Sequence, residues 1–97
     1  MRLGIDLGGT KIAAIVLDEG AQVVWQQRIP APRDDYGATI DALAGVVVDA
    51  ERELRVRCTV GIGIPGAISP ATGLVKNANS TWLNGRCLSD DLDTRLN

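Results

Sequence analysis

The chain has 97 residues and a formal net charge of −2, from 10 basic and 12 acidic side chains. This length allows one domain around one core, and 45% hydrophobic with 23% charged residues is typical of a soluble globular chain rather than a membrane span. The charge balance argues against a general nucleic-acid binder, and the lack of histidine excludes His-based catalytic triads and His-ligated metals within these residues.

The first thirty residues predict three β-strands. Residues 3–7 alternate between large apolar side chains and Gly or Asp, which is the period of a strand. A second apolar run, 12–17, is short and β-branched, and a third strand is expected from 23 to about 29, before the prolines at 30 and 32. Because tight turns separate the three runs, we expect an antiparallel meander.

A helix is predicted in the middle of the chain. Its apolar positions recur at helical spacing on one face: Ile40, Leu43, Val47, Ala50 and Leu54. Asp34 and Asp35 supply an acidic start, and Arg52 and Arg55 lie near the end, as the helix dipole prefers.

The last third of the chain predicts a strand, a loop and a helix. A buried-type strand is expected at 59–64, a short strand at 74–75 and a polar loop at 77–86. Ser89 is placed to cap a final helix whose first turn contains Asp90 and Asp91. The order β-β-β-α-β, loop, helix predicts an α/β fold in one domain, 1–97, and we expect it to be cut before a further strand.

The first motif with chemical potential is residues 6–11, Asp-Leu-Gly-Gly-Thr-Lys. Gly8 and Gly9 make a tight turn whose amides can point at phosphate oxygens, and Thr10 and Lys11 add a donor and a positive charge. Asp6 is suited to hold a hydrated Mg²⁺ that the phosphates also bind. The alternative is a plain hairpin with a surface lysine, but the ordered set of five residues favours phosphate binding.

Two further segments have the composition of a ligand wall. Glycines within 61–66 indicate that another backbone or a ligand comes close to this strand. If it is a ligand, Gly66 and Ala67 are expected to line its site. The alternative is tight packing within the sheet. Residues 76–85 are dense in amides and hydroxyls, which suits a sugar, although a polar surface loop explains them equally well. Cys58 and Cys87 match no zinc or thioredoxin spacing and are expected to be structural thiols.

These three motifs together resemble the N-terminal segment of ROK-family sugar kinases, most of all bacterial fructokinases of the manno(fructo)kinase type. The resemblance covers the whole chain, and the run Asn-Ser-Thr-Trp-Leu-Asn-Gly carries the fructokinase likeness. It implies a ribonuclease-H-like, actin-like ATPase lobe, with ATP and Mg²⁺ as cofactors and a hexose as substrate. It also implies a cytoplasmic protein with no nucleic-acid or membrane partner, whose full-length relatives are commonly homodimers.

The resemblance assigns roles to individual residues. Asp6, Gly8, Gly9, Thr10 and Lys11 would hold the ATP phosphates and Mg²⁺. The sugar contacts would be Gly66, Ala67, Asn79 and Ser80. No catalytic residue is expected in the chain, because the family's general base, an aspartate, and its zinc motif would follow residue 97. We therefore expect the chain alone to be inactive as a kinase.

Two other functions compete with the kinase. ROK also contains sugar-responsive repressors, which carry a helix-turn-helix and often lose the phosphate loop; here the loop is intact at Asp6–Lys11. The second alternative is a binding module without catalytic activity. In that case a partner protein would cover the apolar surface that the chain exposes.

Overall fold

A computed structural model describes residues 1–63, 67–68, 75–76, 85–86 and 88–96. The described residues form six strands and two helices in this order: β1 (Arg2–Leu7), β2 (Lys11–Leu17), β3 (Val23–Pro30), α1 (Tyr36–Leu54), β4 (Thr59–Gly63), β5 (Ala67–Ile68), β6 (Val75–Lys76) and α2 (Leu88–Leu96). No helix within these ranges is long and apolar enough to cross a membrane.

The main sheet has the strand order β3-β2-β1-β4. β1, β2 and β3 form the predicted antiparallel meander, with Leu7 paired to Ile12 and Ala13 paired to Arg28. β4 runs parallel to β1, with Asp6 paired to Gly63. The carboxyl ends of β1 and β4 therefore lie at the same edge of the sheet, which is where α/β proteins place their ligands.

The core lies on one face of the sheet, beneath α1. Alternate residues of the first two strands are buried because a strand's side chains point to opposite faces. Among the described residues, the buried set is Leu3, Ile5, Leu7, Ile12, Ala14 and Val16 from the sheet, Thr39, Ile40, Leu43, Ala44, Val46, Val47 and Ala50 from α1, and Leu88 and Leu92 from α2. The other face of the sheet, with Gly4, Asp6 and Gly61, is exposed.

Local capping explains where α1 begins and ends. The Asp35 carboxylate accepts a hydrogen bond from the Ala38 amide at 2.9 Å, which satisfies one of the free donors at the helix start. Arg55 ends the helix in the left-handed conformation, with φ of 56°. The predicted acidic start is thus one N-cap residue, Asp35, and Asp34 lies before it.

Three expectations about the last third of the chain change. The strand expected to be buried, β4, is exposed at four of its five residues, because it is the edge strand of the main sheet and no described strand pairs with its outer side. α2 begins at Leu88, so Ser89 lies inside the helix and the prediction that it caps the helix is wrong. The short strand lies at Val75–Lys76 and pairs with a strand at Ala67–Ile68 that was not predicted. A strand of two residues is too short to show the alternation of apolar and polar side chains by which longer strands are predicted. Its existence depends on pairing with another strand.

Candidate functional site

The turn between β1 and β2 is closed by one backbone contact. The Gly8 amide donates to the Lys11 carbonyl oxygen at 2.9 Å. A Cβ atom at position 8 would lie 3.0 Å from that same oxygen, so any other residue there would push the carbonyl away by a few tenths of an ångström. Gly8 therefore shapes the loop and uses its own amide inside the turn.

Other backbone donors of this turn remain for a ligand. Within the described residues, the amides of Gly9 and Thr10 donate to no other group. The Thr10 carbonyl accepts a hydrogen bond from the Ala31 amide at 2.9 Å, which ties the loop to the chain leaving β3. The loop is thus anchored at both sides while presenting two amides, an arrangement suited to phosphate oxygens.

Asp6 lies next to this turn at the carboxyl end of β1. Its cross-strand partners are Ala13 on one side and Gly63 on the other, and all three stand on the exposed face. Because both neighbours are small, nothing from the paired strands covers the carboxylate. A single carboxylate with open space is what Mg²⁺ uses when phosphates and water supply its other ligands. Among the described residues, no group of three or more metal-ligating side chains is assembled.

The predicted sugar contacts are only partly within the structure. Gly66, Asn79 and Ser80 lie outside the described residues. Ala67 belongs to β5, where its backbone pairs with Lys76. The glycines that precede this segment are less constrained than expected: a Cβ on Gly61 would meet nothing within 4 Å, and one on Gly63 would lie 3.9 Å from the Ile5 carbonyl. Packing within the described residues does not require glycine at either position.

Cys58 has the environment of an unreactive thiol. It is half-buried, and its backbone amide donates to the Glu51 carboxylate at 2.9 Å. Burial, with the negative charge of Glu51 adding to it, raises the pKa of the Cys58 thiol above its ordinary value. A thiol held protonated is a poor nucleophile, as the sequence predicted for this residue. Cys87 lies outside the described residues.

One cationic residue near the loop, Arg28, is not part of any motif found in the sequence. A cavity of about 250 Å³ is lined by Thr10, Lys11, Arg28, Ile29 and Pro30. Arg28 comes from β3, seventeen positions beyond the last residue of the predicted motif, so no local pattern connects it with Lys11. The signal that was available is the alternation along β3, which places Arg28 on the exposed face.

A comparison with protein families identifies the chain. The model of the ROK family matches residues 2–97. The chain belongs to the ROK family. Its relatives include N-acetyl-D-glucosamine kinases of Escherichia coli O1:K1 and of Shigella boydii serotype 4, each 44% identical over 96 residues. Those residues are 99% of this chain but 32% of each relative, so this ROK chain spans about a third of the length of the relatives it matches.

Solved structures of ROK proteins share the fold. A ROK hexokinase from Thermus thermophilus superimposes with a TM-score of 0.81 at 32% identity, covering 98% of this chain and 32% of that one. A ROK glucokinase from Streptomyces griseus, solved in complex with glucose and AMPPNP, has a TM-score of 0.81 at 28% identity and covers 98% of this chain and 30% of its own. The predicted α/β fold, that of an actin-like ATPase N-terminal lobe, is thereby confirmed.

Proposed function

We propose that this ROK chain is the phosphate-binding part of an ATP-dependent kinase of hexoses or aminosugars. The observation that carries the proposal is the anchored turn from Gly8 to Lys11 beside the open carboxylate of Asp6. It stands at the carboxyl end of two parallel strands, where α/β folds bind nucleotides. Relatives named as sugar kinases at 44% identity support the same activity.

Each residue of the turn has a distinct task in this proposal. The amides of Gly9 and Thr10 bind phosphate oxygens, and Lys11 neutralises part of their charge. Asp6 would hold a hydrated Mg²⁺, which would supply positive charge to neutralise the phosphates. Gly8 contributes indirectly, since its own amide closes the turn on the Lys11 carbonyl.

Phosphoryl transfer needs positioning from both sides of the transferred group. We place the general base, an aspartate that takes the proton of the sugar hydroxyl, beyond residue 97, together with the zinc motif. Gly66, Ala67, Asn79 and Ser80 are proposed as contacts to the sugar. It follows that the 97 residues alone bind phosphate without transferring it. The intact phosphate turn favours the kinase over a ROK repressor, although one such regulator shares the fold, with a TM-score of 0.72 at 15% identity.

Fructose is the proposed substrate, because the run Asn-Ser-Thr-Trp-Leu-Asn-Gly resembles fructokinases. Relatives at 44% identity are named N-acetyl-D-glucosamine kinases, which makes that aminosugar the competing substrate. The two sugars differ in ring form and in the acetamido group, so a pocket suited to one leaves polar groups unpaired with the other. The whole protein is proposed to be cytoplasmic and homodimeric.

A coupled assay of ADP formation tests the proposal on the full-length gene product that carries these residues. Fructose, mannose, glucose and N-acetylglucosamine are each supplied with MgATP, and the 97-residue chain is assayed in parallel. We expect the full-length protein to turn over fructose best and the short chain to show no sugar-dependent turnover. A higher kcat/KM for N-acetylglucosamine than for fructose would make the aminosugar the substrate. If the full-length protein turned over none of the four sugars, the proposed kinase activity would be contradicted.

Two variants of the full-length protein connect the activity to the turn. Asp6→Asn removes the charge that holds Mg²⁺ and is expected to lower kcat by about a hundredfold or more. Glu19→Gln is the matched control, since Glu19 is an exposed carboxylate at the opposite end of β2. Full activity in the Asp6→Asn variant, or equal losses in both, would contradict the role given to Asp6.

A further inference from the structure

Arg28 shares one cross-strand row with the candidate metal residue. Gly63 pairs with Asp6, Asp6 with Ala13, and Ala13 with Arg28. Directly paired residues of neighbouring strands point to the same face of a sheet, so Arg28 and Asp6 stand on the same open face. Two strand spacings separate them, about 10 Å, which leaves room for a ligand between the two side chains.

Lys11 is the diagonal neighbour of Arg28 on that face. Lys11 pairs with Pro30, two positions beyond Arg28, and such diagonal neighbours lie about 7 Å apart. Both cations line the cavity of about 250 Å³ beside the phosphate turn, and none of the described residues that line it is acidic. Within the described residues, neither Lys11 nor Arg28 forms an ion pair.

Two unpaired cations at this separation repel each other, so the arrangement lowers its energy when an anion lies between them. An arginine suits a phosphate better than other anion-binding residues do, because its planar guanidinium donates two parallel hydrogen bonds. The apolar part of the lining, Ile29 and Pro30, belongs to the end of β3, which pairs with Ile12 and Lys11 of β2.

We propose that Arg28 binds the phosphate chain of the nucleotide together with Lys11. This inference rests on the proposed function, since it assigns a further ligand to the same phosphate site. It gives the site three positions: the metal at Asp6, the amides and Lys11 at the turn, and the guanidinium of Arg28 on β3. β3, the outer strand of the meander, thereby becomes part of the binding site.

The test is a titration of the ¹⁵N-labelled 97-residue chain with MgATP and, separately, with inorganic triphosphate. The amide signals of Gly9 and Thr10 report binding at the turn, and the Nε–Hε signal of Arg28 reports contact with its guanidinium. We expect both sets to move with the same dissociation constant for either ligand. Equal affinities for the two ligands identify phosphate, and not the nucleoside, as the recognised group.

Three variants complete the experiment. Arg28→Gln is expected to weaken binding about tenfold, the loss of one charge-assisted contact, and Arg28→Lys to recover part of that affinity. Arg57→Gln, the matched control, removes an exposed arginine from the opposite end of the sheet, next to the start of β4, and is expected to bind as the unchanged chain does. Amide spectra with preserved dispersion show that each variant is folded.

The outcomes separate this inference from the proposed function. In one outcome the Gly9 and Thr10 signals move, the Arg28 Nε–Hε signal does not, and Arg28→Gln binds with unchanged affinity. This result would overturn the role of Arg28 alone. Equal losses of affinity in Arg28→Gln and Arg57→Gln would also overturn the role of Arg28, because they would show only a general attraction of the anion by positive charge. Absence of binding at millimolar ligand would overturn both, because both assign the phosphate site to residues of this chain.

Discussion

The Tyr36 hydroxyl donates a hydrogen bond to the Asp91 carboxylate at 2.5 Å and thereby joins the first turn of α1 to α2. The Arg86 guanidinium lies 4.7 Å from the centre of the same ring, a cation–π contact from the residues just before α2. Arg95 and Asp41 form an exposed ion pair farther along the two helices, at 3.1 Å. Leu88 and Leu92 are buried in the core beneath these polar contacts.

Removing the Tyr36 hydroxyl tests how far this contact holds α2. Tyr36→Phe keeps the ring under Arg86 and is expected to lower the free energy of unfolding by about 1 kcal/mol, since it removes one largely exposed hydrogen bond. Urea unfolding followed by circular dichroism measures the change. Asp91→Asn and the double variant complete a thermodynamic cycle. Strict additivity of the two single changes would contradict direct coupling between Tyr36 and Asp91.

The N-cap of α1 provides a second stability prediction. Asp35→Ala removes the acceptor of the Ala38 amide and is expected to destabilise the chain by about 1 kcal/mol. Asp35→Ser retains a capping oxygen and should recover most of the loss. The control is Asp34→Asn, because Asn tolerates the left-handed conformation that Asp34 adopts, with φ of 56°. A loss in the control as large as that of Asp35→Ala would argue for a general charge effect instead.

Two glycines are expected to respond in opposite directions to the same substitution. Gly8→Ala places a Cβ atom 3.0 Å from the Lys11 carbonyl, so the turn must open and phosphate binding should weaken. Gly45→Ala, on α1, meets nothing within 4 Å and should stabilise the chain by about 1 kcal/mol through helix propensity. Thermal unfolding and triphosphate titration of both variants measure these effects. Unchanged binding in Gly8→Ala would contradict the need for glycine in the turn.

The Cys58 thiol should react slowly with alkylating reagents at neutral pH. Its raised pKa keeps the thiol protonated to higher pH than usual, and only the thiolate is nucleophilic. Glu51→Gln removes the nearby negative charge, so the pKa should fall and the rate with iodoacetamide at a fixed alkaline pH should rise. A Cys87→Ser background leaves one reporting thiol, and Glu19→Gln is the control. Identical pH–rate profiles for Glu51→Gln and its parent would exclude Glu51 as a cause.

Most of the main sheet and α1 could be predicted from the sequence alone. Alternation at residues 3–7, the short apolar run at 12–17 and the prolines after 29 reflect neighbours along the chain, so local sequence contains their cause. The turn between β1 and β2 was predictable for the same reason, since its glycines, threonine and lysine are consecutive. Even there the tertiary structure changed a role, because the Gly8 amide closes the turn and is not offered to a ligand.

The pairing of distant segments was decided by the tertiary structure. Nothing near Asp91 in the sequence predicts its contact with Tyr36, fifty-five positions away. The register of β3 brings Arg28 into the row of Asp6, and pairing with β6 creates a strand at Ala67–Ile68 that the sequence did not predict. Local periodicity records which face of an element is apolar. Which elements meet, and at which register, depends on packing that only the folded chain contains.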